Sequence, residues 1–345
     1  MVKYIVAIIL FGVIILFHEW GHFLLAKANG IRVNEFCLGL GPTIVGFNRG
    51  ETKYSLKLFP IGGACIMEGE DEESDDSRSF QKKSVWARIS VVAAGPVFNF
   101  IMAFIFSVII IACIGVSKPV IGGVAESSAA QEAGLEAGDE IVKINYKNIH
   151  LFQAISMYAL FHDGDTVEIT YERDGNRYTT DLTPAYNEES GGYQYGISSV
   201  QGYTKLGPGE TLAYGVYQVK FWIQYTIRSL EMLVTNQVSF NDLSGPVGIV
   251  KTIGDAYEQS LADGYFYVFL NMLNLGILLS ANLGVMNLLP IPALDGGRLV
   301  FLVIEAIRGK RINSEKEGMV HFIGLMCLFA LMAVVMLNDV RKLFI

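Results

Sequence analysis

The stretch His18-Glu19-Trp20-Gly21-His22 decides the fold of this chain, because it lies inside an apolar run at residues 5–25. Such a run predicts a membrane-spanning helix, here with three ionisable side chains. On a helix, His18 and His22 share one face, so both imidazoles can reach one metal ion, and Glu19 can handle the proton of an ion-bound water. Ionisable groups are costly in hydrocarbon, so a metal site explains them better than a polar contact between helices.

The composition indicates an integral membrane protein with room for one modest soluble domain. Of the 345 residues, 52% are hydrophobic and 17% are charged, the latter below the ~25% of soluble domains. The net charge of −8 and the lack of long basic runs argue against a nucleic-acid partner. Four scattered cysteines form no C-x-x-C motif and are expected to be reduced packing residues: Cys37, Cys65, Cys113 and Cys327.

Four apolar runs are long enough to cross ~30 Å of hydrocarbon, at about residues 4–28, 90–116, 266–289 and 318–338. They predict a polytopic α-helical membrane protein with about four transmembrane helices. The first run also imitates a secretory signal with a cleavage site at Ala26-Lys27-Ala28. Cleavage would discard the histidines, so we interpret it as a retained helix that Gly30 can end.

The first loop, residues 31–70, predicts a small β-hairpin region close to the membrane. Residues 54–58 alternate in polarity as a strand does, and residues 60–63 have the composition of a turn. Residues 68–76 form an acidic loop. Residues 79–89 predict a short amphipathic helix that leads into the second span. Together with the first two spans, this loop makes residues 1–117 the first part of the membrane core.

Residues 118–184 differ in kind, since charges are frequent and short β-type runs at 140–145, 166–172 and 177–182 alternate with turns. Residues 133–145, AGLEAGDEIVKIN, resemble the signature of bacterial protease-associated PDZ domains. The Gly138-Asp139 pair alone would indicate only a turn. PDZ domains bind peptides by adding a strand to a sheet edge, and the sequence leaves open whether this one binds a peptide or only restricts access.

Residues 185–265 are predicted to be a linker that carries one amphipathic helix at 209–235. A polar stripe runs along that helix at Lys220, Gln224, Arg228 and Glu231. Its aromatic residues suit a membrane interface, so a helix lying on the surface is favoured over a fifth span. Residues 266–345 then form the second part of the membrane core.

Basic residues indicate the orientation. They flank the first loop and fill the short third loop, whereas the second loop has few near its membrane ends. The positive-inside rule therefore places loops one and three in the cytoplasm and the PDZ-like domain outside. The His18 motif then lies in the cytoplasmic half of the bilayer.

A catalytic zinc usually has three protein ligands, and Asp295 is the candidate for the third. It follows the third span in the segment 290–297, where Pro290 and Pro292 break the helix at the depth of His22. Three alternatives stay open: Asp295 as a helix N-cap, or Glu305 or His321 as the ligand.

Asn287, at the foot of the third span, is a candidate to bind substrate. Its amide can donate to the carbonyl oxygen on which negative charge develops. Equally, it can satisfy backbone groups that Pro290 leaves without partners, and the sequence does not choose between the two roles.

Motifs along nearly the whole chain resemble the site-2 protease family of intramembrane zinc metalloproteases. The matching pieces, in the family's order, are His18–Phe23 with Ala26 and Gly30, Gly62-Gly63, Gly69-Glu70, Gly95-Pro96-Val97-Phe98-Asn99-Phe100, Ser244-Gly245-Pro246-Val247-Gly248-Ile249, and 287–297. The family resemblance implies Zn²⁺ bound by His18, His22 and Asp295, with Glu19 as the base. Some relatives carry two PDZ domains, whereas this chain has room for one.

The resemblance also implies what the protein acts on and where. Substrates would be single-pass membrane proteins, such as anti-sigma factors or signal-peptide remnants, that are cleaved near the cytosolic end of their transmembrane segment. The hairpin at 50–66 would offer an edge to the unwound substrate. The expected location is a bacterial cytoplasmic (inner) membrane.

Two rival functions remain at this stage. One is a non-catalytic membrane adaptor that binds peptides through the PDZ-like domain and keeps a structural metal. The other is a membrane-anchored protease for soluble substrates, which the position of the motif midway along an apolar helix argues against. Substrate identity, oligomeric state and the choice between zinc and other divalent metals lie beyond the sequence.

Overall fold

The computed structural model of the chain describes residues 2–70, 72, 74–162, 164–188, 192–237 and 245–344. These residues form two compact units. We call Met1–Phe106 with Leu230–Ile345 the membrane unit, and Ser107–Ser229 the inserted unit. The domain boundaries expected from the sequence, at 117/118, 184/185 and 265/266, stay predictions. Ser244, in the matched motif, lies outside the described residues, as do Asp71 and Glu73 of the predicted acidic loop.

The helices of the described chain are α1 (Val2–Ala28), α2 (Val85–Ile114), α3 (Ala129–Glu132), α4 (Phe152–Leu160), α5 (Pro208–Val234), α6 (Pro246–Leu261), α7 (Tyr265–Leu288), α8 (Asp295–Arg308) and α9 (Ser314–Phe344). Within the described residues, α1, α2, α7 and α9 are long and apolar enough to cross a membrane. The prediction of a polytopic helical membrane protein with four spans is confirmed. The prediction of a separate amphipathic helix at 79–89 is wrong, because Phe80–Lys82 forms a single 3-10 turn and α2 runs unbroken from Val85.

Small residues let α1, α2 and α7 approach one another closely. Gly21 of α1 lies against the backbone of Ala94 in α2, where a methyl group would stand 2.5 Å from the Ala94 carbonyl oxygen. The Ser280 hydroxyl of α7 donates to the Asn99 carbonyl oxygen of α2 at 2.8 Å. Small-residue contacts and interhelical hydrogen bonds are the means by which helices associate in lipid, and here they bring three spans together around the motif.

The first loop forms strands β1 (Val33–Arg49) and β2 (Thr52–Met67), joined by a turn at Gly50. Both strands fold back on themselves. Residues 60–63, where a turn is expected, belong to β2, whose chain reverses between Leu56 and Gly63, since both lie opposite Leu38. Residues 35–38 pair antiparallel with 63–66 and also lie beside 53–56, while 45–49 pairs with 52–56. Residues 63–67 consequently form an outer row of the sheet next to α1.

A buried apolar cluster joins this sheet to the helices of the membrane unit. Its members are Ala26, Ile31, Val33, Cys65, Met67, Phe80, Val91, Val92 and Leu302, with Phe23 and Leu299 among the partly buried residues packed against them. The cluster therefore holds the end of α1, the end of β2, the start of α2 and α8 together in one core.

In the inserted unit, β4 (Glu140–Ile144), β5 (Lys147–Asn148), β6 (Val167–Arg173) and β7 (Asn176–Leu182) form a sheet in the order β5-β4-β6-β7, with each neighbouring pair antiparallel. The smaller pairs join β3 (Ile121–Val124) to β10 (Ile197–Ser199), and β8 (Ala185–Asn187) to β9 (Gly192–Gln194). The strands fall where the sequence predicts them, and this small sheet with two helices agrees with a PDZ-like domain.

The Gly138-Asp139 pair of the PDZ signature has a structural role. Gly138 adopts a positive φ of 101°, and the buried Asp139 carboxylate accepts hydrogen bonds from the Arg173 guanidinium at 2.7 and 2.8 Å. It also accepts one from the Glu136 backbone N–H at 2.9 Å. The Asp139 carboxylate therefore ties the turn before β4 to β6. Its partner, Arg173, lies 34 residues further along the chain.

Helix α5 covers the predicted range 209–235. It is not among the helices of the described chain that are long and apolar enough to cross a membrane. The aromatic residues expected to face the membrane interface pack mostly inside the inserted unit: Tyr214, Tyr217, Trp222 and Tyr225 lie against a core of Ile111, Val116, Leu151 and Phe221. That expectation about the aromatic face is therefore wrong, while the surface position of α5 stays a prediction.

Candidate metal centre

Helix α1 presents two imidazoles from successive turns. His18 and His22 are 7% and 8% exposed, and their Nε2 atoms lie 3.3 Å apart. The rings meet edge to face, with an interplanar angle of 82°. The four-residue spacing on a helix therefore brings both Nε2 atoms to one point, as the sequence predicts.

The structure brings Asp295 to the same point. Its Oδ2 atom lies 3.2 Å from His18 Nε2 and 3.5 Å from His22 Nε2. The ligand atoms of these three residues all lie within 4.8 Å of one another, and no other such cluster of His, Cys, Asp or Glu occurs in the described part of the chain. The two segments come from opposite ends of the sequence.

A tight turn between α7 and α8 places Asp295 next to the two imidazoles. Helix α7 ends at Leu288, Ala293 has a positive φ of 77°, and α8 begins at Asp295 itself. Leu294 occupies the N-cap position without a side-chain cap, so Asp295 is not the N-cap, and that alternative is wrong. Its side chain is directed at the imidazoles instead.

The two rival ligands have other contacts. Glu305 pairs with the buried Arg88 guanidinium of α2. His321 of α9 accepts a hydrogen bond at Nδ1 from the Ala293 backbone N–H at 3.0 Å, and so helps to shape the turn before Asp295. Neither belongs to the cluster of three.

One face of α2 orients both imidazoles. The Val91 carbonyl oxygen lies 2.9 Å from His22 Nδ1 and accepts its N–H. The buried Asn99 amide nitrogen Nδ2 lies 3.0 Å from His18 Nδ1, and the Asn99 Oδ1 atom has no hydrogen-bond partner. The Val91 carbonyl leaves His22 Nε2 with its lone pair for a metal, and the Asn99 amide does the same for His18 when its oxygen, rather than its nitrogen, faces Nδ1. Val91, Gly95 and Asn99 recur every four residues, a spacing that places them on one face of α2.

The residues present fit a zinc ion. A methyl group built at Gly95 would overlap the His22 ring and stand 2.6 Å from His18 Cε1, so only glycine leaves the space between the imidazoles and α2 open. Asp295 Oδ2 is buried without a hydrogen-bond partner, as expected of an atom reserved for a cation. Two imidazoles and one carboxylate form a common catalytic zinc set that leaves a fourth position for water or substrate.

Glu19 is a residue of α1, and its side chain lies against the outer row of the sheet, residues 63–67. A methyl group at Gly63 of β2 would stand 2.9 Å from Glu19 Cγ, and the Cys65 backbone hydrogen-bonds to the Glu19 carboxylate. Burial raises the pKa of the Cys65 thiol far above its usual range, so this neighbour stays neutral. The strand backbone therefore holds Glu19 close to His18, His22 and Asp295.

Asn287, the candidate substrate contact, lies at the foot of α7. Its Nδ2 atom is 3.5 Å from His18 Nε2, at the limit of hydrogen bonding. The amide thus borders the cluster of three, although its role, as for all the site residues, stays a proposal.

Comparisons with known proteins assign the chain to a family. A family model described as Peptidase family M50 matches residues 6–331. The regulator of sigma-W protease RasP of Bacillus subtilis is 32% identical, with 98% of both chains covered. The zinc metalloprotease RasP of Bacillus licheniformis is 34% identical, again with 98% of both chains covered.

Two further similar proteins differ in how much of this chain they cover. A Clostridium acetobutylicum protein whose name describes a zinc metalloprotease is 39% identical, over 97% of this chain and 96% of its own. Among solved structures, the PDZ domain of an SdrC-like protein from Listeria monocytogenes is 25% identical, covers 24% of this chain and 88% of that domain, and has a TM-score of 0.23.

Four apolar helices and the similarity to proteins named zinc metalloproteases identify a membrane-embedded zinc metalloprotease. The chain belongs to peptidase family M50, the site-2 protease family.

Proposed function

We propose that this protein cleaves peptide bonds within the transmembrane segments of single-pass membrane proteins. The observation that carries the proposal is the cluster of His18, His22 and Asp295, whose ligand atoms lie within 4.8 Å of one another between apolar spans. A site enclosed by such spans suits a substrate that is itself in the membrane. Anti-sigma factors and signal-peptide remnants are substrates of this kind.

Each residue has a distinct task in the proposed reaction. His18, His22 and Asp295 would hold the metal, which when bound would supply Lewis-acid chemistry to polarise the scissile carbonyl and activate water. Glu19 accepts the proton of the attacking water and passes it to the leaving amine. Asn287 donates its amide hydrogen to the scissile carbonyl oxygen as negative charge develops there.

The substrate segment has to unwind before cleavage, and the sheet offers it a partner. Residues 63–67 pair with β1 and, within the described residues, with no other strand. This row lies against Glu19 through Gly63. A substrate strand added to that edge gains backbone hydrogen bonds and is brought to the base and the metal ligands.

The proposed location is a bacterial inner membrane, with the metal centre toward the cytoplasm and the PDZ-like unit outside. Basic residues around the first and third loops support this orientation. The PDZ-like unit would act on substrates by binding a peptide or by limiting access.

The deciding experiment measures metal content and cleavage separately in the full-length protein. Glu19→Gln should keep about one zinc per chain and lose cleavage of a membrane-spanning test peptide, because only the base is removed. Asp295→Ala should lose both. Cleavage by Glu19→Gln would contradict the base assignment, and bound zinc without cleavage of any membrane-spanning peptide by the wild type would favour an adaptor.

A further inference from the structure

Helix α8 carries Asp295 at its first position and makes an ion pair one turn later. Arg298 lies three residues after Asp295, so the two side chains leave the helix on neighbouring positions of one face. The Arg298 guanidinium pairs with the Glu70 carboxylate, which follows the end of β2. The side chains are 23% and 18% exposed, so solvent screens this pair only partly.

The Glu70 carboxylate also reaches the end of β2. Its Oε2 atom accepts a hydrogen bond from the Met67 backbone N–H at 3.4 Å, while Oε1 faces Arg298. One carboxylate therefore bridges the outer row of the sheet and the helix that supplies Asp295. The same row contacts Glu19 through Gly63.

Close backbone packing places the first turn of α8, because Gly296 lies against Leu289 and Gly297 against Ile291, and the Glu70–Arg298 pair adds a directional contact to it. Leu299 and Leu302 pack in the apolar cluster, but such contacts are not directional. The N-cap residue Leu294 makes no side-chain cap. A charge-assisted hydrogen bond, by contrast, sets both distance and angle, and the Glu70–Arg298 pair lies one turn from the ligand.

We infer that Glu70 and Arg298 are positioning residues that hold Asp295 within reach of His18 and His22. The inference rests on the proposed function, because it takes these three side chains as metal ligands. The pair ties together the two sides of the centre: the strand that packs against Glu19 and the helix that carries Asp295.

A second ion pair on α8 supplies the matched control. Arg88 pairs with Glu305 near the far end of the helix, where the two side chains are 7% and 15% exposed. Removing this more buried pair should disturb packing at least as much, but ten residues from Asp295. If α8 ion pairs matter only for general stability, Glu305→Gln should weaken metal binding as much as Glu70→Gln.

The test uses the full-length protein in detergent, stripped of metal and titrated with Co²⁺ alone in competition with a chelator. Visible absorption of bound Co²⁺ reports both affinity and coordination geometry. We expect Glu70→Gln and Arg298→Gln each to weaken Co²⁺ binding about tenfold, in the range typical of residues that support metal ligands. We also expect a changed spectrum, with an unchanged helical signal in circular dichroism.

The variants separate positioning from folding. Arg298→Lys should bind Co²⁺ with intermediate affinity, and the exchanged pair Glu70→Arg with Arg298→Glu should recover part of the loss, whereas Glu305→Gln should keep the wild-type spectrum.

Wild-type affinity and spectrum in both Glu70→Gln and Arg298→Gln would overturn the inference and leave the proposed function intact. If either fails to fold, Arg298→Lys decides: a wild-type spectrum overturns the inference. Unchanged Co²⁺ binding in Asp295→Ala would overturn both.

Discussion

Gly95 of α2 lies directly against His22 of α1, so that a methyl group at Gly95 would overlap the imidazole that we assign to the metal. The same methyl group would stand 2.6 Å from His18 Cε1. A single position on the second span therefore keeps open the space in which both imidazoles meet Asp295.

Gly95→Ala should abolish metal binding and cleavage, because the added methyl group has to displace the His22 ring. Inductively coupled plasma mass spectrometry of the purified protein measures the zinc content. Gly318→Ala in α9 is the control, since nothing lies within 4 Å of the position where its methyl group would stand. Wild-type zinc content in Gly95→Ala would show that the imidazoles do not occupy this geometry when metal is bound.

Asn99→Leu should weaken zinc binding by about tenfold to a hundredfold, because His18 loses the partner that orients its Nδ1. When His18 binds metal through Nε2, Nδ1 carries a hydrogen, and the Asn99 amide, whose Nδ2 faces Nδ1 in this structure, has to turn over so that its oxygen accepts it. Chelator competition measures the affinity. The control is Asn271→Leu, which removes a hydrogen bond to Ser260 at 2.6 Å elsewhere in the membrane unit. Equal loss in the two variants would argue against a specific role for Asn99.

The inserted unit should become less stable as the pH falls below ~6.5, the ordinary pKa of histidine. Burial and the nearby Lys220 lower the pKa of His150. Burial also lowers the pKa of His162, with Lys147 and Arg228 contributing and Asp165 opposing. The folded state thus resists protonation at both rings, so stability is present above ~6.5 and is lost toward the lower folded pKa values.

Hydrogen exchange of residues 107–229 between pH 7.5 and 5.5 would measure this loss. His150 stacks on Tyr217 and His162 on Tyr158, each with ring centroids 3.8 Å apart. The double variant His150→Phe with His162→Phe retains rings for stacking without titration, and its pH dependence should be flatter. An equally steep dependence in that variant would assign the effect to other groups.

Asp339→Ala should loosen the start of α6. The buried Asp339 carboxylate of α9 accepts hydrogen bonds from the backbone N–H groups of Gly245 at 3.0 Å and Gly248 at 2.9 Å. Leaving such donors unpaired costs roughly 1–3 kcal/mol. Limited proteolysis of α6 in the full-length protein measures the change. Glu258→Gln, which breaks the Lys3 ion pair on the exposed side of α6, should have a smaller effect.

Local patterns in the sequence predict the helices and the meeting of the two imidazoles well. Long apolar runs have few alternatives to a spanning helix, and the four-residue spacing of His18 and His22 leaves one arrangement on a helix. Asp295 is also accessible to sequence reasoning, because Pro290 and Pro292 end the third span near the depth of the imidazoles.

Features that depend on distant partners are harder to predict. Gly62 and Gly63 have turn composition, yet they belong to β2 because residues 35–38 pair with this row and because Gly63 must admit Glu19. The aromatic residues of α5 suit a membrane interface by composition, but most of them pack, partly buried, against the core of the inserted unit. In both cases contacts with residues distant in sequence decide the local structure.

By itself, the sequence determined the membrane class, the four spans and the histidine pair with its glutamate, since hydrophobic length and helical period are properties of neighbouring residues. Only the tertiary structure decided that Asp295 completes the cluster, while Glu305 pairs with Arg88 and His321 contacts the turn at Ala293. It alone also revealed Gly95, Asn99 and the Glu70–Arg298 pair around the centre. The physical reason is that these contacts join residues tens to hundreds of positions apart, and their distances are set by how the helices and the sheet pack.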